Sequence, residues 1–234
     1  MSWTNMINPR RLERIWQAGQ QGLVGADATA VLLEDRQFEI VGEAVADGNC
    51  TYDDDHGLLL TSSAGDDDQC FIFPSAAADN RSIFREYNWG PENETEFECV
   101  VQTGTLANAV VFLAGLALTH PATYDSAVDA DQVMFSYLQG TDTNWTIDAN
   151  VANTDVTAYD TGVTVVASNT YHFAIRFDAA RRAHCFINEI EVFVSKPMTA
   201  GAAWMPLVGL ENGSAASKTL HVRSIAMARN WGVN

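Results

Sequence analysis

The sequence predicts an all-β chain, a two-sheet antiparallel sandwich with a short helical arm at its amino end. Three observations carry this expectation. From residue 37 onward the apolar residues repeat with period two rather than 3.6. The apolar runs are short, and Gly, Asp, Asn and Pro clusters punctuate them at close intervals, as hairpins require. Helical spacing occurs in one short stretch, before residue 20. The chain has 234 residues, 47% of them hydrophobic, which is ample for the core of one all-β domain.

At the amino end, Asn8 is a good N-cap and Pro9 suits the first helical position. Leu12, Ile15 and Trp16 follow at i, i+3 and i+4, on one face, and Gly19 and Gly22 end the pattern. A helix of about ten residues is too short to be stable alone. Its apolar stripe must therefore pack, on the protein's own sandwich or on another subunit or protein. Charge also sets this piece apart. Residues 1–33 carry a net +1, residues 34–98 a net −14 and residues 99–234 a net −4. The expected division is an arm, residues 1–33, that serves docking or oligomerisation, and a sandwich, residues 34–234.

Strand candidates follow in order at 37–41, 57–62, 69–73, 108–118, 131–138, 144–148, 163–167, 184–187, 190–194 and 204–210. The clearest alternation is at Thr95, Phe97, Cys99 and Val101, which interleave with Glu94, Glu96 and Glu98. Tyr171, Phe173, Ile175 and Phe177 interleave in the same way with His172, Ala174, Arg176 and Asp178. Leu220 and Val222 set a phase that shifts at Ile225 and Met227, which predicts a bulge or bend.

Composition excludes several classes. Acids outnumber bases 30 to 13, for a net charge of −17. Such a surface is a poor match for nucleic-acid phosphates. No apolar run approaches the ~18 residues of a membrane helix; the longest, Ala109 to Leu118, suits a buried strand. Trp3, Asn5, Pro9 and Arg10 stand where a secretory signal would have its apolar core, so the expectation is synthesis in a cytoplasm with reduced thiols. Cys50, Cys70, Cys99 and Cys185 form no CxxC pair, so no zinc site is expected. The triplets Asp53–Asp55 and Asp66–Asp68 read as solvated loops rather than a calcium site, because no D-x-[DN]-x-[DN]-G loop is present. No metal and no cofactor is expected.

Within residues 94–230 a set of short motifs has a familiar order. Gly115-Leu116 ends one strand, and Phe135-Ser136-Tyr137 and Asn144-Trp145 follow. Then come Asp160-Thr161-Gly162-Val163, Thr170-Tyr171, Phe186-Ile187-Asn188, Pro206-Leu207-Val208-Gly209 and Lys218-Thr219-Leu220. This run resembles the concanavalin A-like (laminin-G-like) jelly-roll modules, and is most similar to the versions found in tailed-phage virion proteins. The motifs are structural rather than catalytic, so they speak to fold before function. One departure stands out. The family hairpin turns on Asn-Gly, which suits a type I′ turn with both central φ positive; here the turn is Asn188-Glu189, and Glu is costly at positive φ.

The resemblance implies three function classes. A glycoside hydrolase of this fold carries its carboxyls in an E-x-D-x-x-E run, which is absent here. Glu94, Glu96 and Glu98 read as a solvated face, Glu189 and Glu191 likewise, and His56, His120, His172, His184 and His221 are scattered singly. The expectation is no catalytic residue and no enzyme. A lectin-like module for host attachment would use Tyr124, Trp145 and Tyr159 against a host glycan. The leading expectation is a capsid decoration (cement) or head-fibre protein on the capsid exterior. It would bind the major capsid protein, and itself as a homotrimer, with no nucleic-acid or membrane partner. Trp3, Arg10, Arg11, Leu12, Arg14, Ile15 and Trp16 are then the docking residues, since Arg and Trp are frequent interface anchors.

Overall fold

The structure is a computed structural model of the chain. It describes residues 11–18, 23–25, 36–45, 49–53, 55–74, 82–107, 109–118, 131–152, 154–214 and 216–231. Sixteen strands follow in order: β1 (Arg11–Gln17), β2 (Leu23–Gly25), β3 (Arg36–Val41), β4 (Cys50–Asp53), β5 (Gly57–Thr61), β6 (Gln69–Phe73), β7 (Glu96–Thr103), β8 (Val111–Ala117), β9 (Gln132–Leu138), β10 (Asn144–Val151), β11 (Thr154–Thr164), β12 (Thr170–Phe177), β13 (Arg182–Ile187), β14 (Ile190–Pro197), β15 (Met205–Glu211) and β16 (Thr219–Asn230). The first sheet runs β14-β13-β12-β7-β16-β5-β4, with β1 also paired to β16, and the second runs β11-β10-β9-β8-β15-β6-β3-β2. Only β2–β3 is parallel among the pairs described. The expected all-β sandwich is the observed fold.

The core between the sheets is built from the alternation read in the sequence. Thr95, Phe97, Cys99 and Val101 point inward, as do Tyr171, Phe173 and Ile175. Phe135 of the second sheet stacks on Phe173 of the first at 4.5 Å between ring centroids. The phase change in β16 is a bulge, where the register slips between Val222 and Ser224 opposite β7. It keeps Leu220, Val222, Ile225 and Met227 all in the core. One strand prediction, 163–167, fell late, since β11 occupies 154–164. Its residues there alternate weakly and are mostly exposed, so the period carried little signal.

The arm is a strand and not a helix. β1 pairs antiparallel with the second half of β16, from Arg11 opposite Asn230 to Gln17 opposite Ser224. The spacing of Leu12, Ile15 and Trp16 fits a helix face, but Leu12, Arg14 and Trp16 also fit one face of a strand. The first half of β16 pairs with β5, and its second half offers a free row of N–H and C=O groups to β1. Satisfying that row while burying Trp16 outweighs the weak local preference of a short helix. Arg11 fastens the strand by a forked pair to Glu96, at 3.1 and 2.6 Å.

The two hairpin motifs explain themselves locally. The β13–β14 turn has two residues, with Asn188 at φ 50 and Glu189 at φ 70. Asn188 is locked to β12: its N–H donates to the His172 carbonyl at 2.8 Å, and its Oδ1 accepts the His172 N–H at 2.9 Å. These bonds hold the turn while Glu189 bears a conformation that suits Gly. Tyr171 accepts the Val166 N–H at 2.8 Å and donates to the Thr164 carbonyl at 3.1 Å, which ties the strand to the loop before it. The open edge β14 carries two register shifts against β13 and ends in Lys196 and Pro197, features that discourage a further strand from adding.

Candidate functional site

The expected docking residues divide sharply. Trp16 is fully buried, edge-on to Phe38 at 5.1 Å, so it is core and not a contact. Leu12 packs against the same core. Arg11 is engaged by Glu96 and Glu13. Arg14 shares the face of Leu12 and Trp16 and is half-buried at the rim of the core, while Ile15, on the opposite face, is 39% exposed. Trp3 and Arg10 lie outside the described residues. The described residues of the arm are thus strands of the sandwich, and only part of its surface is offered to a partner.

Arg14 joins a strip that spacing did not predict. Residues 82–90 run beside β1 in a series of turns. Trp89 Nε1 donates to the Phe84 carbonyl at 2.6 Å, and both rings are buried. That turn leaves Glu86, Tyr87 and Asn88 on the outer side. The Arg14 guanidinium lies over the Tyr87 ring at 5.2 Å and pairs with Glu86 at 2.8 Å. Tyr87 meets Trp231 at 5.2 Å in an edge-to-face arrangement. Arg229 lies over Trp231 at 5.3 Å, and its guanidinium donates to the Asn88 carbonyl. Arg14, Tyr87, Trp231 and Arg229 thus form one continuous strip at the edge of the first sheet, two rings in edge-to-face contact with a guanidinium over each. Trp231 is 39% exposed. Burial holds the Arg229 guanidinium below its ordinary range, against the pull of Glu92.

The remaining candidates are elsewhere. Trp145, expected at a glycan, is core: it stands edge-on to Phe173 at 4.8 Å and Tyr171 at 5.3 Å. Its motif places it on an inward position of β10. Tyr159 is exposed and packs on Phe193 at 4.9 Å, where the outer strands β11 and β14 meet. Tyr124 lies outside the described residues. The three expected glycan contacts therefore do not form one described surface.

The carboxylates of β7 are neutralised. Glu98 accepts from Arg176 at 3.0 Å and lies 3.4 Å from His172. Contact with His172, then Arg176, holds the Glu98 carboxyl below its ordinary range, and Glu98 raises His172 in return. His184 sits between Glu191 at 2.8 Å and Asp178 at 3.4 Å, and Glu191 most strongly raises its pKa. Asp53 caps its own turn through the N–H groups of Asp55 and His56 and touches the His56 ring at 3.0 Å. Asp68 accepts the Gly65 N–H at 2.5 Å. Among the described residues no three His, Cys, Asp or Glu side chains gather to hold a metal. Burial pushes the Cys70 thiol up to about 12 and raises Cys99 and Cys185 as well, so these three are packed as small apolar groups.

No family model matches the chain, and no curated protein matches it. Solved structures do. A protein of unknown function from Shewanella oneidensis MR-1 aligns over 100% of this chain and 96% of its own, with a TM-score of 0.61 and 9% identity. A pseudo β-1,3-glucanase of Mycobacterium tuberculosis, also described as an immunostimulatory antigen, aligns over 95% and 92%, with a TM-score of 0.55 and 13% identity. A family 7 alginate lyase aligns over 78% and 84%, with a TM-score of 0.54 and 13% identity. At these identities the likeness is one of fold, and it is the jelly-roll sandwich that the concanavalin A-like motifs implied. It also corrects the expectation that the chain is not an enzyme. That expectation rested on a missing E-x-D-x-x-E run, yet alginate lyases share the fold, so the lack of one carboxylate pattern does not set the chain apart from enzymes.

Proposed function

We propose that the chain is a structural protein of a tailed-phage virion, a capsid decoration protein that attaches to the assembled shell through the surface around β1 and Trp231. The observation that carries this reading is the strip Arg14–Tyr87–Trp231–Arg229. Trp, Tyr and Arg are the side chains that most often dominate protein interfaces, and here they are held in place by one another before any partner arrives. The resemblance of the motifs in residues 94–230 to those of phage virion modules supports the same reading. The motifs sit at positions that lock the sandwich, such as the Asn188 turn and the Tyr171 tie to Thr164 and Val166.

A protein that binds only the assembled shell stabilises it by mass action, by about 2.7 kcal/mol at a hundredfold excess over Kd. Self-association as a homotrimer would give the strip a symmetric setting on the shell. The deciding experiment is to purify particles from the source culture on a density gradient and quantify the chain against the major capsid protein. A fixed stoichiometric ratio supports decoration. Recovery of the chain only in the soluble fraction refutes it.

A further inference from the structure

We infer that the shell surface met by the strip presents a carboxylate to Arg229, next to an apolar side chain that covers Trp231; this rests on the decoration reading above. Three arginines lie along this edge, and two already hold carboxylates. Arg11 takes Glu13 and Glu96, and Arg14 takes Glu86. Arg229 differs: among the described residues its only hydrogen-bond acceptor is the Asn88 carbonyl, and its buried Nε–H has none. A guanidinium has five N–H donors; with Nε buried and one Nη1 hydrogen given to Asn88, the fork left for a planar acceptor is the Nη1/Nη2 pair. Glu92 acts on it through space, but among the described residues no carboxylate makes a hydrogen bond or ion pair with it.

The geometry fixes what the acceptor must be. Arg229 is stacked on Trp231, and the ring stays 39% exposed, so a bound group meets charge and apolar surface together. An Asp or Glu flanked by an apolar residue on a protein surface satisfies both. An extended polyanion, nucleic acid included, does not, because the net charge of −17 opposes it along its whole length. A single local carboxylate meets little of that field and forms a charge-assisted, two-pronged contact.

The test uses full-length chain and shells purified from a strain that lacks it, with occupancy read by co-sedimentation at low and high salt. R229E is expected to abolish occupancy. R229K, which keeps the charge but loses the fork, and W231A are each expected to weaken it tenfold or more. R182E, the same reversal on exposed Arg182 of β13, is expected to leave it unchanged. Thermal midpoints report folding, and if R229E lowers its midpoint, R229K and W231A decide the matter. Wild-type occupancy that survives R229K, R229E and W231A overturns this inference while decoration stands. Failure of the wild-type chain to bind shells overturns decoration, and this inference with it.

Discussion

The two sheets of this sandwich meet their surroundings in opposite ways. Along β7 of the first sheet, buried and half-buried residues alternate strictly from Glu96 to Thr103. Along β8 of the second, every residue from Val111 to Ala117 is buried. The outward side of the first sheet is a ladder of ion pairs: Glu96 with Arg11, and Glu98 with Arg176 and His172. The outward side of the second is another apolar cluster, in which Phe71, Phe73, Val111, Leu113, Met134, Met205 and Leu207 are buried together. Ser136 and Asp148 lie beside it, joined at 2.5 Å, with Thr146 2.7 Å from Ser136. One sheet is therefore built as a surface and the other as an interior layer. The apolar cluster of the second sheet is flanked by buried polar groups as well, among them Gln69 and Glu211, joined at 2.6 Å.

The sharpest way to break this contrast is to cut the same kind of side chain from each outward face. Phe71→Ala should cost about 3–5 kcal/mol in urea unfolding, as for other buried aromatics. Val100→Ala, on the outward side of β7, should cost about 1 kcal/mol or less. Equal costs would mean that the second sheet is no more enclosed than the first. Gly209→Ala tests the same layer from the backbone. A Cβ there would stand 2.4 Å from both the Phe71 ring and the Cys70 carbonyl. The expected loss is about 1–3 kcal/mol, the usual range for overpacking, read as a lower thermal midpoint.

On the first sheet the effects are smaller and one has the opposite sign. Glu189→Gly relieves a positive φ in a turn that Asn188 already anchors, and should stabilise by about 0.5–1 kcal/mol. The ion-pair ladder should respond to pH. His172 and His184 are raised above the ordinary imidazole value of about 6.5, so their contribution is complete below that value and is lost as pH rises through the folded pKa. Glu98 is lowered by His172 and then Arg176, so its contribution is present above about pH 4.3 and is lost as pH falls through its folded pKa. Stability should therefore decline between pH 6 and pH 9 in wild type, and less steeply in the double variant H172Q/H184Q. Identical slopes would show that these imidazoles add nothing, which is the common fate of exposed pairs.

The same contrast explains what could be read in the sequence. Strands of the first sheet announced themselves because one face is wet: Glu94, Glu96 and Glu98 separate the inward residues and set the period. The second sheet showed as continuous runs such as Val110 to Leu118, which mark burial without fixing which side faces where. The arm misled because Leu12, Ile15 and Trp16 fit a helix face while Leu12 and Trp16 alone fit a strand face, and only the free half of β16 chooses between them. The strip was not legible at all. Arg14, Tyr87 and Trp231 come from three distant stretches, and nothing in the local pattern of any one of them points to the others. Trp145 fits two readings, a glycan contact near a loop or a core residue of the strand-like run Asn144–Ile147, and its strand position turns it inward.

The pairing of β1 with β16 also sets the order in which this protein can be made. Arg11–Gln17 leave the ribosome first among the described strands, while their partners, Ser224–Asn230, belong to the last of those strands. Until then Trp16 has no finished niche and stays available to chaperones or to aggregation. Closing so long a loop is slow by comparison with hairpin formation. Assembly of the sandwich is consequently completed only when β16 arrives to cover β1.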